Sequence, residues 1–305
     1  GHPVDVVYLD FAKCFDKIPH KRCVEKLRSH GITGKVADWV AAWLTGRKQR
    51  VVLNGATSDW APVHSGVPQG SVLGPVLLVI YINDIDNAVT QVNHIVSKFA
   101  DDSKVGRIIE SEEDREVLQN DLNNLVKWSE EWQMLFNTSK CKVIHFGRNN
   151  PRFSYTMGGQ ILEEADEEKD VGVMIHCNLK PSTQCARAAK KGNQVLGQMS
   201  RTFHYRDKFT WVRLYKQYVR PHLEYAVQAW SPWTQADKDL LEAVQKRAIR
   251  MVSGLTSTSY EDRLKEVGLT TLEDRRKRGD MIEVWKILHG EENVNPDTWF
   301  IMASD

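Results

Sequence analysis

The sequence lacks the features that mark secreted, zinc-binding or membrane proteins. Its five cysteines form no C-x-x-C pair and no zinc-spaced set with histidine, which favours reduced thiols in an intracellular protein. The longest apolar run, at 72–82, contains Gly74 and Pro75 and is too short to span a bilayer. Because neither a secretory leader nor an initiating Met opens the chain, we expect a piece of a longer protein with no membrane partner.

A strong net charge is also missing. The 305 residues carry a formal charge of +1, which gives no global attraction to nucleic acid or membrane. Lys and Arg nevertheless outnumber Asp and Glu between residues 201 and 290, so the C-terminal third is the basic part. The apolar fraction of 41% is that of a globular protein, and the length allows one large domain or two ordinary ones.

The hydrophobic pattern of the first 182 residues predicts an α+β fold. An antiparallel sheet with helices packed on one face is the architecture that this order of elements favours. The predicted elements are strands at 4–11, 92–99, 103–109 and 140–147, a hairpin around 48–63, short β segments at 153–163 and 169–175, and helices at 20–31, 35–44, from Pro75, and within 111–136.

From residue 183 onward the pattern predicts helices only. We therefore predict two domains, 1–182 and 183–305, and expect Pro221 to end the helix that runs through DKFTWVRLYKQYV. No repeat or low-complexity segment is visible in the sequence.

Three carboxylates suggest a site for divalent metal ions. Asp10 leaves a buried strand, and Asp101 and Asp102 stand together in the turn of KFADDSKVG. Adjacent carboxylates repel each other, and a divalent cation would offset the repulsion. Carboxylates from separate segments can hold two Mg²⁺ about 3.5–4 Å apart for nucleotidyl transfer. Taken singly, each acid is better explained as a turn or cap residue.

The motifs that contain these residues resemble, in their order and spacing, those of a known protein family. YLDFAKCFDKIPH (8–20), SGVPQGSVLGP (65–75) and FADD (99–102) resemble the three central motifs of reverse transcriptases, and FNTSKCKVIHFG (136–147) and KDVGV (169–173) resemble the next two. The detail is similar to non-LTR (LINE-type) retrotransposons of the jockey and chicken-repeat group. VRPHLEYAVQAWSP, LLEAVQKRAIRMV and YEDRLKEVGL are similar to that group's thumb and post-thumb region.

The resemblance implies a metal site in a polymerase palm. Asp10 and Asp101 would be the principal ligands of two Mg²⁺, with Mn²⁺ as a possible substitute, and the carbonyl of Phe11 would complete one shell. Asp102 would be the companion acid near the primer end. Lys140 would lie near the leaving pyrophosphate, although a lysine there is equally explained as a solvated surface residue.

The resemblance also implies a nucleotide site. Phe15 would lie under the sugar as a steric gate that excludes a 2′-hydroxyl, so dNTPs would be favoured over rNTPs. Backbone N–H groups after the first strand would meet the triphosphate. Cys14 stands where the family usually has Ala, which we expect to be harmless. The predicted nucleotide-binding residues are Phe11, Ala12, Lys13, Cys14, Phe15, Gln69 and Gly70.

The helical region would hold the template–primer, and KDVGV would grip the primer. The aromatic and basic residues of the helical region could contact phosphates without recognising a particular base sequence. The same pattern is typical of core aromatics and solvated charges. The residues concerned are Trp211, Arg213, Tyr215, Lys216, Tyr218, Arg220, Lys246, Arg247, Arg250 and the run Arg275, Arg276, Lys277 and Arg278.

The predicted function is that of an RNA-directed DNA polymerase core, with an RNA template, a DNA primer and dNTPs as partners and the nucleus as its place of action. The chain starts at the first catalytic motif, so we expect most of the fingers to be missing and extension by this chain alone to be poor. A second hypothesis is an inactive or domesticated remnant that only binds nucleic acid. A third is another palm-type enzyme, an RNA polymerase or nucleotidyl cyclase, against which Phe15 argues.

Overall fold

The computed structural model of the chain describes residues 1–90, 94–255 and 259–301. Two compact units, Gly1–Val171 and Gly172–Asp305, make up the chain. Val171 and Gly172 both have positive φ, 42° and 89°, where the chain passes from one unit to the next. The sequence places its domain boundary later, at 182/183. The predicted α+β class is confirmed by the sheet and helices of the first unit.

The first unit combines a five-stranded sheet with short ribbons and helices. Its strands are β1 (Val4–Leu9), β2 (Lys48–Gln49), β3 (Val52–Leu53), β4 (Ala56–Thr57), β5 (Ala61–Pro62), β6 (His94–Phe99), β7 (Asp102–Ile108), β8 (Lys142–Phe146), β9 (Thr156–Met157), β10 (Gln160–Ile161), β11 (Glu163–Glu164) and β12 (Glu167–Asp170). Its helices are α1 (Cys14–Lys17), α2 (His20–Ser29), α3 (Gly34–Leu44), α4 (Leu73–Ile82), a 3₁₀ segment (Asn83–Ala88) and α5 (Glu112–Glu131).

β1 occupies the centre of the sheet. It runs antiparallel to β7 on one side and to β8 on the other, β6 continues beyond β7, and β11 pairs parallel with β8 at the opposite edge. A central strand needs partners on both sides, and the Val-rich sequence VDVVYL suits that buried position.

Side-chain alternation separates the two faces of the sheet. Val7 pairs with Val105 and Val143, and all three belong to one buried core with the apolar residues of α4 and α5. Tyr8, one residue later, pairs with Lys104 and Lys142 on the opposite face. Because the strand period is two, Asp10 continues the Tyr8 face. The predicted packing of helices on one face is confirmed.

Helix α5 shows how local sequence sets an element's ends. Ser111 caps it through a capping box with Asp114, which satisfies N–H groups that lack a partner in the first turn. Leu118 and Leu122 are buried along one face. The helix ends at Glu131, because Gln133 takes a left-handed φ of 55° that an α-helix cannot accommodate.

The remaining predicted elements of this unit lie close to their expected places. The hairpin around 48–63 is formed by β2 with β5 and β3 with β4. Helix α4 begins two positions before Pro75, which falls within the first turn, where its missing N–H costs nothing. The strand predicted at 92–99 is present from His94, and residues 92 and 93 lie outside the described residues.

The second unit is mainly helical around its own core. Its elements are β13 (Val173–His176), α6 (Ser182–Thr202), α7 (Lys208–Leu214), a π-helical segment (Tyr215–Val219), α8 (Arg220–Glu224), a 3₁₀ segment (Val227–Ala229), α9 (Gln235–Arg250), α10 (Tyr260–Glu266), α11 (Leu272–Leu288) and a 3₁₀ segment (Pro296–Thr298).

The expectation that Pro221 ends a helix is wrong. The chain stays helical from α7 through the π-helical segment into α8, which ends at Glu224. Pro221 lies in the first turn of α8. The wider π turn before it changes the hydrogen-bond register, so the absent proline N–H falls where an unpaired position is tolerated.

Candidate active site

The carboxylates predicted from sequence meet at one end of the central strands. Leu9 pairs with Ser103, so Asp10, which follows Leu9, and Asp102, which precedes Ser103, extend neighbouring antiparallel strands at the same edge. Phe99 pairs with Asp102, which leaves Ala100 and Asp101 as a two-residue turn. Ala100 has φ 54°, the positive value that a type II′ turn requires at its first central position.

A small cavity of about 100 Å³ opens beside this edge. Asp10, Asp102 and Lys140, three of the site residues expected from sequence, line it together. The Lys140 ammonium lies 3.9 Å from Oδ1 of Asp10, and its side chain is 66% exposed. A mobile cation at this position can approach an anionic group that enters the cavity, and it adds little to stability.

Asp101 faces a different neighbour. Its Oδ2 accepts a hydrogen bond from the Cys14 thiol at 3.2 Å. Burial, together with this hydrogen bond and the negative charge of Asp101, raises the pKa of Cys14 to about 12. The thiol therefore stays protonated and remains a donor to the carboxylate.

Asp102 stands in a negative environment. Partial burial and then the charge of Asp101 raise the pKa of Asp102, and Asp170 and Asp10 add to the effect. A carboxyl surrounded by other carboxylates resists ionisation. A bound cation would relieve that resistance, because it favours the ionised form.

Phe11 and Ala12 join this edge to the chain after α5. The Phe11 ring stacks on Phe136 with centroids 4.7 Å apart. The Asp10 carbonyl accepts from Asn137 N–H at 2.7 Å, and Ala12 N–H donates to Leu135 at 2.8 Å. The Phe11 carbonyl takes no part in this pairing. The predicted contact between Ala12 N–H and a triphosphate is a poor fit to this structure, because that N–H is already used.

Two of the predicted nucleotide-binding residues, Lys13 and Gln69, line a second cavity of about 950 Å³. The Gln69 amide donates to Oδ1 of Asp16 at 3.2 Å. Gly70 has φ 78° with open space around it. These residues are therefore brought to the same unit as the carboxylates, but not into the same small cavity.

Gly66 fixes the approach of the SGVPQG loop to α1. Its φ is 84°, and a Cβ there would lie 2.6 Å from the Phe15 carbonyl oxygen. The neighbouring Val67 N–H donates to that carbonyl at 2.7 Å, and Gly66 N–H donates to Ile18 at 2.8 Å. The loop thereby holds the backbone of Phe15, whose ring packs partly against the core.

Divalent metal is the cofactor that the site's donor chemistry would suit. In the described ranges, no group of three or more His, Cys, Asp or Glu side chains is arranged to hold an ion. Mg²⁺, however, takes only one or two protein carboxylates and completes its shell with water and phosphate. Asp10 and Asp102 supply such oxygens at one edge, with Asp101 in the adjoining turn, so the residues present fit Mg²⁺.

Sequence reasoning missed several residues of the small cavity. Tyr8, Lys104 and Asp170 also line it, and Lys104 forms an ion pair with Asp170. Period-two alternation from Asp10 would have found Tyr8. No local signal could have found the ion pair, because 66 residues separate its two partners.

In the second unit, two aromatics proposed for nucleic-acid contact belong to the core instead. Trp211 and Tyr215 are each 1% exposed, with side-chain hydrogen bonds to Ala248 and Gln245. The basic run is also partly internal, because Arg275 pairs with Glu224.

Comparison with known proteins places these observations in a family. A family model described as reverse transcriptase (RNA-dependent DNA polymerase) matches residues 5–199, more than half of the chain. The matched span contains the three carboxylates and the second cavity.

Curated relatives come from mobile elements. The chain is 27% identical over 262 residues to the RNA-directed DNA polymerase from mobile element jockey of Drosophila funebris, covering 81% of this chain and 28% of that protein. It is 25% identical over 260 residues to a probable RNA-directed DNA polymerase from transposon X-element of Drosophila melanogaster, with the same two coverages. The chain therefore spans less than a third of these relatives.

Among solved structures, the chain is similar to apo telomerase from Candida tropicalis. The TM-score is 0.45 at 11% identity, with 81% of this chain and 41% of that chain covered. Telomerase from Candida albicans in complex with a TWJ fragment of telomeric RNA gives 0.40 at 11% identity, with 88% and 50% covered. Both scores are too low to assign a shared fold.

No helix in the described part of the chain is long and apolar enough to cross a membrane.

The resemblance predicted from the motifs is confirmed, both for the family and for the non-LTR elements that carry its relatives. This chain belongs to the reverse transcriptase (RNA-dependent DNA polymerase) family.

Proposed function

We propose that the chain is the polymerase core of a non-LTR retrotransposon protein, which extends a DNA 3′-OH on an RNA template with dNTPs. The observation that carries this proposal is the position of Asp10 and Asp102 side by side at the end of two central strands, with Asp101 in the adjoining turn. In a member of this family, oxygen donors at one rigid edge are what nucleotidyl transfer needs.

The metal-binding role falls to the carboxylates. Asp10 and Asp101 would be the principal ligands, with Asp102 as their companion and the Phe11 carbonyl as a further donor. When bound, two Mg²⁺ (or Mn²⁺) would supply Lewis-acid activation of the attacking oxygen and charge neutralisation on the leaving group. Lys140, 3.9 Å from Asp10, would hold positive charge near the departing pyrophosphate.

Nucleotide selection falls to the residues around α1 and the SGVPQG loop. Phe15 would exclude a 2′-hydroxyl, since the loop hydrogen bond fixes its backbone. Gln69, oriented by Asp16, would lie against the incoming nucleotide with Gly70. Backbone donors for the triphosphate would come from Lys13 and Cys14, because Ala12 N–H is bonded to Leu135.

The rest of the chain would hold the template–primer. We assign residues 1–182 to the palm with part of the fingers and the primer-gripping KDVGV segment, and 183–305 to a thumb and post-thumb region. Three exposed arginines of that region, Arg213, Arg247 and Arg250, are suited to phosphate contact. A chromosomal DNA primer would place the reaction in the nucleus.

Primer extension on an RNA template tests the proposal. We expect Mg²⁺-dependent incorporation of dNTPs but not rNTPs, abolished by Asp101→Ala and unchanged by Asp59→Ala, an exposed acid of the β2–β5 hairpin. The assay is run on this chain and on a longer product of the same gene that includes preceding sequence, where we expect stronger extension. Binding of the primer–template without extension in either product would favour the remnant hypothesis. Equal use of rNTPs would contradict the role of Phe15.

A further inference from the structure

Strand β12, with the sequence EEKD, forms a wall of the small cavity without any apolar residue. Glu168, Lys169 and Asp170 line the cavity together with Asp10 and Asp102. Besides their backbone hydrogen bonds, strands usually pack through apolar side chains on at least one face. The four charged side chains of β12 offer no such packing.

Two ion pairs join β12 to strands of the main sheet. Lys104 on β7 pairs with Asp170, and both side chains are mostly buried, at 26% and 19% exposed. Lys142 on β8 lies 3.3 Å from Glu168. Pairs of this kind are screened less than surface pairs, since water has limited access to them.

The two lysines stand beside the carboxylate edge. Lys104 and Lys142 flank Tyr8 in the sheet register, on the face that Asp10 continues. Lys104 is also two residues from Asp102 on β7, and side chains two apart on a strand share a face. The lysine that holds β12 is therefore a direct neighbour of the acids that would hold metal.

We propose that the Lys104–Asp170 ion pair fixes β12 as the cavity wall against which the end of a primer–template is positioned. Lys104 and Asp170 are thus positioning residues, and their effect reaches the substrate through the placement of β12. This inference rests on the proposed polymerase function for its choice of ligand.

Two readouts that need no catalysis test this role. Hydrogen–deuterium exchange of residues 167–170 reports whether the wall is held, and fluorescence anisotropy of a labelled primer–template reports binding. Lys104→Met and Asp170→Asn remove the charge and keep most of the volume. Each is expected to speed exchange of the segment and to weaken binding by about three- to tenfold.

A charge swap separates the pair from its individual residues. The double variant Lys104→Asp with Asp170→Lys restores an opposite-charge pair, so both exchange and binding should return toward wild type. Arg107→Gln is the matched control, because Arg107 is a mostly buried cation on the same strand, 3.2 Å from Asp114, and does not line the cavity. It should change neither readout, even if it lowers stability.

Three results would overturn the inference: unchanged exchange in the single variants, faster exchange without weaker binding, or failure of the swap to restore either. The third applies provided that the swap folds, which its melting temperature establishes; if it does not fold, Lys104→Glu with Asp170→Arg replaces it. Absence of Mg²⁺-dependent extension would refute the polymerase function. Exchange of residues 167–170 and binding of the primer–template would still show whether the Lys104–Asp170 pair holds β12 in place. The two failures are therefore distinguishable.

Discussion

The thiol of Cys14 donates a hydrogen bond to Oδ2 of Asp101 over 3.2 Å. A second buried cysteine, Cys141, accepts one from the backbone N–H of Asp10 at 3.4 Å. Each of the two principal candidate ligands thus contacts a buried thiol. The sequence led us to expect that Cys14 is a harmless replacement for Ala, but the structure gives it a specific hydrogen bond.

Replacement of Cys14 by Ala should therefore weaken Mn²⁺ binding, because Asp101 loses the donor that orients it. We expect a loss of about three- to tenfold, measured by electron paramagnetic resonance, and near-complete retention in Cys14→Ser. Cys23→Ala is the matched control, since Cys23 is equally buried within α2. It should lower stability and leave metal affinity unchanged. Equal metal affinity of Cys14→Ala and wild type would show that the thiol has no orienting role.

Gly66→Ala should destabilise the chain by about 2–4 kcal/mol. The added Cβ would meet backbone atoms of Phe15 and Asp16 at 2.6–2.7 Å, which cannot move aside as a flexible side chain can. Gly46→Ala separates this contact from backbone strain, because Gly46 also has positive φ, 72°, but open space. We expect about 1 kcal/mol there, and equal losses in urea unfolding would refute the proposed contact.

Lys26 is a buried cation whose neighbours compensate its charge. Its side chain is 2% exposed and pairs with Asp84, and its ammonium lies 3.6 Å from the Trp132 ring centroid. Asp84→Ala should cost about 3 kcal/mol, since it strands a buried charge. Lys26→Met should cost less, about 1 kcal/mol, because a similar volume is kept. Urea unfolding of both variants measures the order, and the reverse order would contradict the ion-pair argument.

Asp102→Asn should raise the stability of the metal-free chain at pH 7. Since the folded state raises the pKa of Asp102, chiefly by burial and by Asp101, its ionised form is less favourable in the folded chain than in the unfolded one. That destabilisation is absent below the ordinary carboxyl pKa and complete above the raised one. The gain should therefore shrink as the pH falls toward about 4. Unfolding midpoints across this range measure it, with Asp59→Asn as an exposed control, and a constant gain would contradict the pKa shift.

Much of the fold was predictable because its elements carry local signals. The Val-rich β1, the Leu spacing of α5 and the Gly-containing turns each act over a few residues. Features that depend on distant partners were not predictable. The π-helical segment that carries the chain past Pro221, and the burial of Trp211, follow from packing within the second unit rather than from local pattern.

The candidate site divides in the same way. The resemblance of the motifs to reverse transcriptases implied Asp10, Asp102 and Lys140, which the structure brings to one cavity. Tyr8 was within reach of strand alternation. The ion pair of Lys104 with Asp170 was not, because it joins segments far apart in sequence, and neither was the bond from Ala12 N–H to Leu135.

Titration of the 305-residue chain with Mn²⁺, followed by electron paramagnetic resonance, measures metal binding by the carboxylates without depending on turnover. We expect saturable binding that Mg²⁺ displaces and that is strongly weakened in both Asp10→Asn and Asp101→Asn, while Asp59→Asn binds as wild type. Folded variants that bind Mn²⁺ as tightly as wild type would contradict the assignment of these carboxylates as the metal site of a polymerase.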